Sequence, residues 1–193
     1  MSFIKDKHYF EDLSPLIAYD ETDWDTLASE GETIAKWIPE LVAVFYDTLY
    51  ESNGSKSIFH EGERPQLEKT LEDWVISLQS GRKDDTFWEH QWFIALLHVR
   101  RGVKNLFMLG MMNRVQQVVW DKCIETYDLG KAHQVYLAFH RISGAIAALI
   151  AESYGAVTEK SAQAALEKVG INATLLQRIK DAQIIKQIDE AQS

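Results

Sequence analysis

Apolar residues recur along the chain at intervals of three and four, the spacing of one helical face. Val42, Phe45, Tyr46, Leu49 and Tyr50 form one such stripe, and Leu67, Thr70, Leu71, Trp74 and Leu78 a second. The alternating runs of Val, Ile and Thr that a half-buried strand requires are missing. The pattern predicts an all-α protein, and turn residues divide it. A short helix or ordered arm falls within the first twenty residues. A helix over 22–30 follows, opened by Thr22 and Asp25 and broken or bent at Gly31. A longer helix covers 33–51, with Pro39 as a kink or restart. Arg64-Pro65 opens the next one and Gly81 closes it. Thr86 and Glu89 form a capping box for the helix that carries His98. After Gly102 a helix runs to Tyr127, and the last long helix covers 131–154. Residues 157–193 read as two further amphipathic pieces, split at Gly170-Ile171-Asn172. Seven or eight helices joined by short turns suggest a globin-like packing more than a four-helix bundle.

Composition narrows the function classes. The chain has 193 residues, 46% of them hydrophobic, with 10 Gly and 3 Pro, so one compact core is expected. The net charge of −9 and the pI of about 5.1, without a basic stripe, argue against nucleic acid as a partner. The longest mostly apolar stretch, Ile142 to Ala151, is shorter than the roughly 20 residues that span a bilayer. The opening MSFIKDKHYFEDL carries charge where a secretory signal would be apolar. Cys123 stands alone, which fits a reducing cytoplasm and excludes both a Cys-x-x-Cys-His haem attachment and a cysteine-rich zinc site.

The stretch FIALLHVRRGV raises the question of chemistry, because His98 follows five apolar residues. An unsatisfied buried imidazole costs about 1–3 kcal/mol, so it needs a carbonyl, a carboxylate, a water or a metal. Ala95 and Gly102, small residues on the same side of the helix, would let a flat ligand come close. Tyr46 puts a polar tip into one apolar stripe, and Thr70 interrupts the other. Each also has a plain reading: the Tyr46 hydroxyl turned to solvent, and Thr70 bonded to its own helix carbonyl four residues back. Asp84-Asp85 reads as helix capping rather than acid–base chemistry. His90 is expected to be exposed, and His133 and His140 lack a third ligand for zinc. No Ser-His-Asp or phosphate-loop motif is present.

The segments VFYDTLY (44–50), PQLEKTLEDW (65–74) and FIALLHVRRGVKNLFMLGMM (93–112) together resemble the sensor globins. That group includes globin-coupled sensors, single-domain sensor globins and protoglobins. The resemblance covers about residues 20–155, and its most specific part is a histidine followed by Val-Arg-x-Gly, with a second glycine eight residues after the first. The tyrosine lies 52 residues before that histidine and Thr70 lies 28 before it. The resemblance implies a globin fold around a haem pocket, with an extra N-terminal helix and a C-terminal helical extension. On that basis residues 1–156 form the sensor globin domain and 157–193 the extension or a linker.

The same resemblance implies the site. His98 is the proximal ligand of haem iron. Tyr46, with Thr70, hydrogen-bonds a bound gas. Phe45, Leu49, Leu67, Leu71 and Phe107 complete the pocket, Phe107 standing where some members carry tryptophan. The cofactor is haem b, held non-covalently, and O2, CO or NO is the small ligand. The expected role is a cytoplasmic oxygen sensor rather than an enzyme. The rivals are a haem-free interaction module and minor chemistry on NO or peroxide.

From Tyr136 to Ile150 the last long helix is apolar around most of its circumference, which predicts one face in the core and another against a second copy. The resemblance implies the same homodimer, through helices 103–127 and 131–154. No output module is expected within these residues. The tail, 157–193, is either the start of a linker to such a module or a segment folded back on the body.

Overall fold

The computed structural model describes residues 8–81, 83–168 and 172–191, and among them every regular element is helical. The start of the N-terminal arm, residues 1–7, and most of the break at 170–172 lie outside the described residues. By its internal contacts the chain divides into Met1–Ala151 and Glu152–Ser193. The boundary was expected at 156/157.

In the first unit, α1 (His8–Leu16) precedes α2 (Thr22–Ser29). Asp20 opens α2, not Thr22: its Oδ1 accepts the Thr22 amide and hydroxyl, both at 2.8 Å. The expected helix over 33–51 is two. A short α3 (Gly31–Ala35) ends before Pro39, and α4 (Ile38–Glu51) restarts with that proline in its first turn, where no amide is needed. A 3-10 turn (Lys56–Ile58) leads to α5 (Arg64–Ser77), again with proline at its start. Gly81, at φ +81°, lies in the loop beyond the helix end rather than on it.

The next helix, α6 (Asp85–Arg101), is capped two residues earlier than expected. Asp84 is extended and its Oδ1 accepts the Phe87 amide at 3.1 Å, whereas Thr86 is already helical. An ionised carboxylate there also meets the positive end of the helix dipole.

α7 (Asn105–Thr126) and α8 (Leu129–Glu167) supply most of the core. Val115, Val118, Val119 and Cys123 of α7 are buried, as are Val135, Phe139, Ile142, Ile146 and Leu149 of α8. The apolar circumference that suggested a second copy is therefore largely enclosed by this unit's own helices. Leu129–Leu166 is long and apolar enough to cross a bilayer by length and composition, yet 56% of its most apolar window is buried inside the protein, as in a core helix. Two polar contacts tie the packing together. Arg141 of α8 grips the buried Asp23 of α2 with Nε at 2.8 Å and Nη2 at 2.6 Å. Gln116 of α7 donates to Ser143 of α8 at 2.9 Å.

The second unit holds the end of α8 and α9 (Ala173–Ala191), and Lys180 pairs with Glu159 at 2.7 Å. Asn172 caps α9 by accepting the Leu175 amide at 3.0 Å.

Candidate functional site

α4, α5, α6 and α7 enclose a cavity of about 370 Å³. That is the size of a small-molecule site. Each helix supplies the face its spacing predicts: Phe45, Tyr46 and Leu49 from α4, Leu67, Thr70, Leu71 and Trp74 from α5. α6 contributes Ile94, Leu97, His98 and Arg101, and α7 contributes Phe107, Met108, Met111, Met112 and Val115. The segment between α4 and α5 covers one side with Ser55, Ile58 and Phe59. All eight residues expected at the site (Phe45, Tyr46, Leu49, Leu67, Thr70, Leu71, His98 and Phe107) therefore line one space.

His98 sits in the last turn of α6, and the sequence around it explains why. Gly102 adopts φ +75°, which only glycine takes at little cost. The Val103 amide then bonds the His98 carbonyl at 3.0 Å and the Gly102 amide bonds Val99 at 3.1 Å. This paired closure is the Schellman motif. The His-Val-Arg-x-Gly spacing is thus a helix terminator that fixes where the imidazole stands. Neither small neighbour opens a path for a flat ligand: Ala95 is fully buried and, like Gly102, is absent from the cavity wall. Gly110 is likewise open to space on its Cβ side. Gly54 has the close approach, since a Cβ there would stand 3.2 Å from the Phe107 ring.

The His98 Nδ1 is buried and has no hydrogen-bond partner among the described residues. The core histidine tied to a carbonyl is not what the fold contains. Burial, and then the charge of nearby Arg101, holds the imidazole below the ordinary histidine range. The ring is therefore neutral at pH 7, the form that ligates a metal. Among the described residues no group of three or more His, Cys, Asp or Glu could hold an ion. A bare metal would find one ligand here. A metal bound at His98 has to arrive with its other ligands, and an apolar cavity beside a neutral imidazole fits an iron tetrapyrrole.

The other polar groups are committed. The Tyr46 hydroxyl is not turned to solvent; it donates to the Leu67 carbonyl at 2.8 Å. Burial, reinforced by the Glu68 charge, drives its pKa far above the ordinary tyrosine value, so it remains a donor. Thr70 donates to the Gln66 carbonyl at 3.0 Å, four residues back, and faces the open side of the cavity. Trp74 donates to the buried Gln91 at 3.0 Å. Asp84 caps its helix, and His90, His133 and His140 are exposed. Arg101 and the methionine wall of α7 also line the cavity; neither stood out in the sequence, although Met108, Met111, Met112 and Val115 carry a plain helical spacing.

The sequence model of the Protoglobin family matches residues 6–168. Among solved structures the chain is similar to the globin domain of the Geobacter sulfurreducens globin-coupled sensor. The identity is 22% and the TM-score 0.69, over 75% of this chain and 96% of that one. No curated protein matches.

Proposed function

The chain belongs to the protoglobin family, and from that premise we propose that it is a haem-based sensor of a diatomic gas, with oxygen as the first choice. The observation that carries the reading is the neutral, unpartnered imidazole of His98 beside an apolar cavity with no second metal ligand. Haem b, when bound, supplies an iron with one position open to O2, CO or NO. His98 provides the protein's ligand to it. Cys123 is buried and lacks a partner cysteine, so attachment is non-covalent.

Phe45, Leu49, Leu67, Leu71 and Phe107 exclude water. Tyr46 is the donor for the gas, leaving the Leu67 carbonyl to reach it, and Thr70 assists by releasing Gln66. A link to sensing comes from the similarity to the globin domain of a globin-coupled sensor. Relay through a homodimer is part of the proposal. The support for it is that Leu106, Leu109 and Ile124 leave apolar surface exposed on α7. We place the protein in the cytoplasm and outside the enzymes, with an output partner of its own.

Titrating the purified protein with haem, followed by reduction and CO, tests this reading by visible absorbance. A saturable one-to-one complex whose bands shift with CO is expected. A protein that stays colourless supports the haem-free interaction module instead.

A further inference from the structure

The cavity wall carries one permanently charged side chain among the described residues, Arg101. It stands one turn from His98 on the same helix and is about two-thirds buried, with 31% of its side chain exposed. Two anchors fix its guanidinium. Nε donates to the Ile58 carbonyl at 3.4 Å, and Nη2 pairs with the Glu63 carboxylate. Glu63 is itself set in place by the His60 amide at 2.6 Å. Burial pushes its carboxyl up, but Arg101 and that amide outweigh burial and leave it below the ordinary range, so it stays ionised. Nη1 has no partner among the described residues. A half-buried guanidinium is therefore held rigidly at the rim of an apolar cavity with one edge free. Of the remaining polar lining groups, the Tyr46, Ser55 and Thr70 hydroxyls and the Trp74 indole all bond protein atoms.

We propose that Arg101 is the carboxylate-binding residue of the cavity, and that its free edge takes a propionate of the tetrapyrrole. The assignment rests on the haem reading above and deepens it. Arg101 suits the task because its fork donates two parallel hydrogen bonds to a carboxylate, whereas a lysine offers a point charge. The brace to Ile58 and Glu63 means that little further order has to be imposed when the carboxylate arrives.

The test compares iron protoporphyrin IX with its dimethyl ester, whose carboxylates are capped. Each is loaded into wild type, Arg101→Met and Arg101→Lys, and its loss to an excess of a haem-scavenging globin is timed. The free acid should leave Arg101→Met about 10- to 100-fold faster than wild type, as expected for a charge-assisted hydrogen bond. Arg101→Lys should fall between them, and the diester should leave all three at one rate. Equal acceleration of both porphyrins would show that Arg101 only braces the Ile58 segment, and would overturn the proposal. So would unchanged rates for both in Arg101→Met. If Arg101→Met does not fold, the free-acid and diester rates of Arg101→Lys decide in the same way. A wild type that takes up neither porphyrin would overturn the haem reading and this assignment with it.

Discussion

Asp23 and His98 are both polar side chains that a helix places among apolar neighbours, and only one has a partner. Asp23 sits where α2 meets α8, 3% exposed, and Arg141 clasps both its oxygens. Gln116 and Ser143 repeat the arrangement between α7 and α8. At the cavity His98 has no such partner: its Nδ1 is buried and unmatched among the described residues, as are the Tyr50 and Tyr154 hydroxyls and the Asn105 side-chain oxygen. Such a group costs about 1–3 kcal/mol. The α2–α8 and α7–α8 contacts pair polar groups to hold the packing, whereas His98 lines the cavity with an imidazole that no protein group holds.

The largest effect should come from breaking one of the paired contacts. Asp23→Ala leaves Arg141 partly buried without its counter-charge, and losing one partner of such a pair costs about 3–5 kcal/mol. Thermal unfolding should show a large drop in Tm, while the absorbance of haem-loaded, folded protein stays as in wild type.

Next comes the distal donor. Tyr46→Phe should speed oxygen dissociation roughly 10- to 150-fold, about 1.5–3 kcal/mol for a hydrogen bond to a charged acceptor. CO release should change far less, because CO gathers less charge. Stopped-flow displacement measures both. Identical oxygen rates would mean the hydroxyl never leaves the Leu67 carbonyl.

Gly102→Ala probes the terminator that sets His98. At φ +75° a Cβ meets no atom within 4 Å, so the cost is backbone strain alone, about 1–2 kcal/mol in chemical denaturation.

The smallest effect has the opposite sign. In cofactor-free protein, His98→Leu should raise stability by about 1 kcal/mol, since it removes an unmatched polar group. It should also flatten the pH profile. The folded His98 pKa is depressed, so the unfolded chain takes up the proton first as pH falls. Wild-type stability should therefore be full above about pH 6.5 and decline below it. The variant should lose that part of the slope.

The helices were legible in the sequence because each buries one stripe, and the stripes of α4 and α5 appear in the structure as the cavity wall. Their starts were less legible. Asp20 and Asp84 cap their helices from two residues before the expected starts, and a short carboxylate does this from outside the periodic pattern. The split of 33–51 turned on Pro39, which a sequence allows as either a kink or a restart. His98 and Tyr46 were visible as polar interruptions of apolar faces. Arg101 was not, because an arginine in a last helical turn is ordinary and only the fold reveals that it rims a cavity. The roles read into Ala95 and Gly102 were misplaced. Small residues serve close packing and helix ends as readily as ligand access, and spacing alone does not separate these uses.

Resonance Raman spectroscopy of the ferrous, gas-free protein reports directly on the proposed bond between the His98 imidazole and haem iron. Wild type should show an iron–imidazole stretching band, His98→Gly should lose it, and added imidazole should restore it in that variant. The same band, undiminished in His98→Gly without imidazole, would mean that another residue holds the iron.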